Sequence, residues 1–197
     1  MSSDLPGFPE LVSRACHYLR TPLASAFGFA RTLERLDAVE GEHARYLAIV
    51  VQATEELGRL IDALALIARV EDGRLSLDRT DVATAELVTE ACALVPGERV
   101  SAGGDGARVE VDRARWTAGL AWLAEATEHA LPGDSPLQLE ARPDGSVAVG
   151  PLPAAMDDRL IDGTGDLRAR GALAVAHAHG GALAREGEWI VVRLAAT

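Results

Sequence analysis

Two runs of apolar residues at helical spacing, broken only around Glu40-Gly41-Glu42, constrain this chain more than any other feature. In the first, Leu11, Ala15, Tyr18, Leu19, Leu23, Phe27, Ala30 and Leu33 recur as one face of a helix, predicted from about Pro9 to Val39. Residues 1–8, with Pro6 and Gly7, read as a short lead-in, and Pro9 suits a first helical turn. In the second, Leu47, Val50, Val51, Thr54, Leu57, Ile61, Leu64 and Ile67 stripe a helix expected from about His43 to Glu71, closed by Asp72-Gly73. So short a connection makes the two helices antiparallel neighbours. Leu60, Leu66 and Val70 widen the stripe near its C-terminal end beyond what one partner helix covers. A dimeric four-helix bundle would bury it, and is expected in preference to cover by the following domain.

Inside the first run lies Cys16-His17-Tyr18-Leu19-Arg20-Thr21-Pro22-Leu23-Ala24-Ser25. Pro22 cannot donate to the carbonyl of Tyr18, and its ring crowds that turn, so a bend is expected beside His17. Imidazole is in general a neutral nucleophile near pH 7, and an exposed one on a helix suits a phosphoryl acceptor.

The segment resembles the H-box of bacterial sensor histidine kinases, usually His-Glu-Leu-Arg-Thr-Pro-Leu, and Leu19-Arg20-Thr21-Pro22-Leu23 match it as they stand. Arg59 to Leu75 resembles the end of that family's second helix. The fold implied is α+β: an N-terminal helical hairpin over residues 1–75 and a gyrase/histidine-kinase-type α/β sandwich over residues 76–197.

The later pattern supports that second half. Leu75-Ser76-Leu77 is a short alternating stretch, followed by a helix expected from Asp81 to Leu94. A glycine-rich break at residues 103–106 precedes a strand at Val109-Glu110-Val111, and Asp112 can cap a helix running to about Leu131. Strands are expected at Pro136–Ala141 and Ser146–Val149, meeting at an Asp144-Gly145 hairpin. A helix over Leu167–His179 and strands at Ala182–Glu186 and Trp189–Leu194 complete the pattern.

The resemblance also shows what has been lost. In kinases of this family an asparagine-bearing helix helps hold Mg²⁺, an Asp-x-Gly-x-Gly turn reads adenine, and a glycine-rich lid covers the nucleotide. Here the two asparagine positions are best matched by Trp122 and Ala126, neither of which can ligate a metal. The adenine turn is replaced by Gly150-Pro151-Leu152-Pro153-Ala154-Ala155, and Asp157 and Asp158 come too late and without the glycines. The last glycine box is reduced to residues 171–175, and Gly163-Thr164-Gly165 reads as a turn rather than a phosphate cradle. Tyr18 stands where a kinase usually has the glutamate that activates the histidine, and a phenol is not a base at neutral pH.

Composition narrows the partners. A net charge of −11 disfavours nucleic acid and anionic membrane surfaces. All 19 basic residues are arginine, which excludes a lysine phosphate loop and Schiff-base chemistry. No apolar run reaches bilayer-spanning length and no signal-peptide pattern opens the chain, so a cytoplasmic location is expected. Cys16 and Cys92 read as reduced, buried thiols. His177, His179 and His129 make a poor metal set, since two residues apart on a helix face away from each other. Trp116, Trp122 and Trp189 read as core, and Asp62, Glu71 and Asp72 as a solvated face.

These readings converge on a histidine phosphotransferase that exchanges phosphoryl groups with response-regulator receiver domains through His17, without ATP. Arg20 is the expected cation for the phosphoryl oxygens, and Thr21 a group to orient the transfer or a water. Tyr18, Leu23, Ala24 and Phe27 are the candidate docking residues. No cofactor or metal is expected in this chain, the receiver bringing its own Mg²⁺. A non-catalytic pseudokinase adaptor is the alternative, and an active kinase a third.

Overall fold

The computed structural model describes residues 8–36, 40–154, 156 and 158–194. The expected lead-in at Pro6 and Gly7, the expected helix end at Val39, and Ala155 and Asp157 lie outside them. The chain divides into two compact units, Met1–Gly73 and Arg74–Thr197.

The first unit is a hairpin of α1, Phe8–Arg35, and α2, Glu42–Glu71. Gly41 caps the start of α2 with φ 62°, a left-handed backbone that glycine adopts without penalty. Helix α1 runs through Pro22, and one turn further on the Ser25 hydroxyl donates to the carbonyl of Thr21. The two helices meet over a small core of Cys16, Ile61 and Ala65, with Val12, Leu23 and Leu64 packed against it. Alanine and cysteine here let the helix axes approach, and that closeness matters beside His17.

The surplus apolar surface is not where the stripe suggested. Leu66 is buried within the single chain, as are Ile61 and Ile67. Phe8, Tyr18 and Leu19 are exposed on the first half of α1, and a larger group of exposed apolar side chains lies toward the hairpin loop: Tyr46, Ile49, Val50 and Leu57 on α2, with Phe29 and Leu33 of α1 and Leu36 just after it. Counting apolar residues along one helix showed the width of the stripe, but not which part a neighbour already covers.

The second unit begins with a correction. The helix expected from Asp81 starts only at Thr84, because Arg79–Ala83 is a strand, β1, paired antiparallel with β3, Arg108–Asp112. Val82 faces Val109 across that ladder, so pairing with a distant strand overrides the helical reading of Asp81-Val82-Ala83. The alternating Leu75-Ser76-Leu77 forms no strand. A second strand, β2, Val100–Gly103, sits at the edge of the segment read as a glycine-rich break. The other elements follow the expected order: α3 (Thr84–Leu94), α4 (Arg113–Ala130), β4 (Leu137–Ala141), β5 (Val147–Gly150), α5 (Leu167–Ala178), β6 (Ala182–Glu186) and β7 (Trp189–Arg193).

Five strands form one sheet in the order β2-β4-β5-β7-β6, with β2 and β4 parallel and the remaining pairs antiparallel. Helix α3 packs on β2 and β4, α4 on β4 and β5, and α5 on β6, giving a helical layer over a sheet. Asp112 caps α4, its side chain accepting from the Arg115 N–H at 3.1 Å. Asp166 caps α5 in the same way, accepting from the Arg168 N–H.

Candidate functional site

His17 is exposed on α1, with Tyr18 beside it at 6.0 Å between ring centroids. Helical geometry puts Arg14 and Arg20 one turn before and after His17, on the same face. The antiparallel return of α2 brings Ala65 and Arg69 level with them. These residues, with Ser13 and Tyr18, line a cavity of about 400 Å³. Among the described residues its wall contains three guanidinium groups, one imidazole and no carboxylate.

Arg20 is not a free cation. Its Nη2 donates to Asp62 Oδ1 on α2 at 2.7 Å, so Asp62, on a solvated face as expected, also orients Arg20. Residues 42 apart in sequence carry no local signal of such a pair. Arg69 makes no ion pair or side-chain hydrogen bond among the described residues, and the sequence reading missed it. The clue available was its position in the segment resembling the end of the family's second helix.

The other predicted residues divide. Thr21, Tyr18 and Ala24 are exposed. Leu23 is half-buried and packs on the hairpin core, its Cδ2 approaching Gly58 of α2, so it holds the hairpin together. Phe27 is half-buried under the Arg31 guanidinium, 5.5 Å above its ring, and Arg31 in turn reaches Glu34 and Glu55. Burial pushes the Cys16 thiol up, which keeps it protonated and unreactive beside the site.

In the second unit, the helix resembling the metal-binding one is α4. Trp122 and Ala126 are both buried in it. Helix α5 lies against α4 so closely that a Cβ on Gly119 would meet Val175 at 3.0 Å. The cavity left there, bounded by Trp116, Leu120, Ala172 and Val192, is about 10 Å³, room for little more than one water. Beside Ala126, Glu125 Oε2 lies 3.0 Å from Arg168 Nε of α5, both side chains buried. The segment after β5 is tied down as well. Arg185 donates to the carbonyls of Pro153 and Met156, and its guanidinium lies 3.4 Å from Asp158 Oδ1. Gly163-Thr164-Gly165 is a turn in which Asp162 accepts from the Thr164 N–H and hydroxyl.

His179 ends α5 and is buried. Its Nε2 accepts from the Asp112 N–H at 3.0 Å, and its Nδ1 lies 2.8 Å from the Val175 carbonyl, which assigns the neutral tautomer with the proton on Nδ1. Burial pushes its pKa down, and the nearby Arg79 and Arg115 charges push it the same way. Asp112 is held below the usual carboxylate range: burial opposes ionisation, but the N–H groups of Arg115 and Asp78 and the Arg115 guanidinium outweigh it. Trp116 packs edge-on against His179, with 5.0 Å between centroids. These histidine and tryptophan side chains are structural.

The comparisons agree with this anatomy. Residues 10–73 match the model of the His Kinase A (phospho-acceptor) domain. Over 82 residues the chain is 29% identical to the sensor protein DivL of Caulobacter vibrioides and 34% identical to the probable sensor histidine kinase TcrY of Mycobacterium tuberculosis. Each match takes in 42% of this chain but only 11% and 17% of the respective relatives. Among solved structures, full-length ShkA in complex with AMPPNP superposes with a TM-score of 0.61 at 22% identity, covering 96% of this chain and 47% of that one. The histidine kinase AdeS of Acinetobacter baumannii gives 0.52 at 18% identity, covering 89% and 94%. With residues 10–73 matching a phospho-acceptor domain and the fold of solved histidine kinases across both units, the chain is similar to bacterial histidine kinases.

Proposed function

We propose that this protein is a histidine phosphotransferase of a two-component relay, taking a phosphoryl group from one receiver aspartate onto His17 and passing it to another. On the way in, the imidazole attacks phosphorus with a ring lone pair, the bond to the aspartyl oxygen breaks, and its electrons leave with the carboxylate. On the way out, the carboxylate of the second receiver attacks phosphorus, the P–N bond breaks, and its electrons return to the ring nitrogen. The transfer needs in-line positioning and charge neutralisation rather than a base, so Tyr18 in place of glutamate is no obstacle to it. Residues 1–75 would carry the transfer and the dimer contact, and residues 76–197 would serve as a degenerate ATPase-like domain. Mg²⁺ would come with the receiver.

One observation carries the reading: the acceptor histidine stands exposed among arginines, while the helix matched to nucleotide binding offers only buried Trp122 and Ala126 and is closed against α5. ShkA has the same fold and its complex holds AMPPNP. A kinase reading of this chain would need a nucleotide site rebuilt from other residues.

The test is phosphoryl exchange with phosphorylated receiver domains, followed as acid-labile, alkali-stable label on His17. His17→Gln should keep the fold and hold receiver binding within a few fold, since glutamine is a good helix former and the position is exposed. Exchange should vanish. Normal flow through the variant would end the relay reading and leave a pseudokinase adaptor. Mg-ATP bound at micromolar concentration would return the protein to the kinases.

A further inference from the structure

We infer that Arg69, on α2, is the residue that grips the phosphoryl group at His17, forming with Arg14 a two-helix anion pocket specific for a phosphate dianion. The inference rests on His17 as the phosphoryl acceptor and deepens that assignment.

The argument starts from what the cavity wall contains. His17, Arg14, Arg20 and Arg69 line it, and no carboxylate does among the described residues. In a chain of net charge −11, a wall of that composition is a local inversion of sign. Arg20 is already engaged by Asp62, whose carboxylate offsets its charge and fixes its direction. Arg69 is exposed and has no such partner among the described residues. It stands one turn beyond Ala65, whose small side chain lies buried against Cys16 and lets α2 come close to the acceptor helix.

A guanidinium presents a planar fork of donors that matches two phosphoryl oxygens, and it stays charged at every relevant pH. Placed on the returning helix, Arg69 can approach the equatorial phosphoryl oxygens from the flank, which leaves the axis opposite His17 to the leaving group of an in-line displacement. Arg20 then serves as the residue whose orientation Asp62 sets, and Arg69 as the direct ligand of the phosphate.

The experiment uses the full chain and potassium phosphoramidate, a small-molecule donor that needs no receiver. Its P–N bond breaks, ammonia leaves with the bonding pair, and the His17 ring nitrogen forms the new P–N bond. Label on His17 is followed against donor concentration for wild type, Arg69→Ala, Arg69→Gln and Arg69→Lys. Loss of the direct charged contact should lower labelling efficiency about tenfold or more in the first two. The lysine variant should recover part of the loss, and inorganic phosphate should compete for wild type but not for Arg69→Ala. Circular dichroism should remain unchanged, which a purely structural role for Arg69 would not allow together with lysine rescue.

Labelling of Arg69→Ala and Arg69→Gln at the wild-type rate, with phosphate competition intact, would overturn the inference. So would a wild-type chain that takes no label. An arginine effect seen with phosphoramidate, in a chain that no receiver phosphorylates, would uphold the pocket and defeat the relay. Receiver exchange that ignores Arg69 would do the reverse.

Discussion

At the scale of single residues, His17 and Arg20 share a helix face, but their surroundings come from different places. His17 owes its exposure to its own helix, whereas Arg20 takes its direction from Asp62 on the returning one. Both members of that pair are about half exposed, so the pair holds little stability. A double-mutant cycle on Arg20→Ala and Asp62→Ala should give a coupling energy of at most about 1 kcal/mol in denaturation. Its effect belongs on transfer. Arg20→Ala should slow phosphoryl exchange with receivers several fold while leaving some of it, because the nucleophile remains. A coupling of several kcal/mol would show the pair to be a structural clamp instead.

At the scale of elements, the second unit depends on how α4 and α5 close on each other. Glu125 and Arg168 form a buried ion pair across that contact. Arg168→Ala would remove the guanidinium from beside the buried Glu125 carboxylate and should cost about 3–5 kcal/mol in chemical denaturation. Replacing both by leucine and methionine should cost much less, since neither charge is then stranded. His179 ties the end of α5 to the start of α4 in its neutral form. Because its folded pKa lies below the unfolded value, the unfolded chain takes up the proton first. The stabilisation is therefore complete above about pH 6.5 and drains away as pH falls below it. The denaturation midpoint of wild type should fall between about pH 7 and 5 with a slope that His179→Gln lacks. Equal slopes would mean that other groups carry the acid sensitivity.

At the scale of the molecule, the hairpin leaves Val50, Ile49, Tyr46 and Leu57 exposed on α2, and Phe29 and Leu33 exposed on α1 with Leu36 just after it. We propose that a second copy covers this face, in a four-helix bundle centred near the hairpin loop. Val50→Arg should give a monomer by analytical ultracentrifugation with its helix content retained, since the site is exposed within the single chain. Leu64→Arg should instead damage the hairpin itself, because Leu64 packs on its core. A Val50→Arg protein that stayed dimeric would move the interface elsewhere.

Whatever depends on a turn or two of chain was legible without coordinates: two helices with their periodic faces, the Asp112 cap, the Asp144-Gly145 hairpin, and a histidine beside Thr-Pro. These are settled by neighbours within about four residues, where helical or strand spacing is a sufficient guide. Strand β1 escaped because Asp81-Val82-Ala83 can open a helix, and only the ladder to β3 makes them extended. Strand β2 escaped because its identity lies in a parallel pairing with β4, more than thirty residues away. The Arg20–Asp62 pair, the closing of α5 on α4 through Glu125 and Arg168, and the arrival of Arg69 at His17 are likewise products of chain return. The sequence by itself determined that a histidine beside Thr-Pro would stand on a helix. Only the tertiary structure decided which charges face it, because charges from distant segments meet at one site only after the helices have packed.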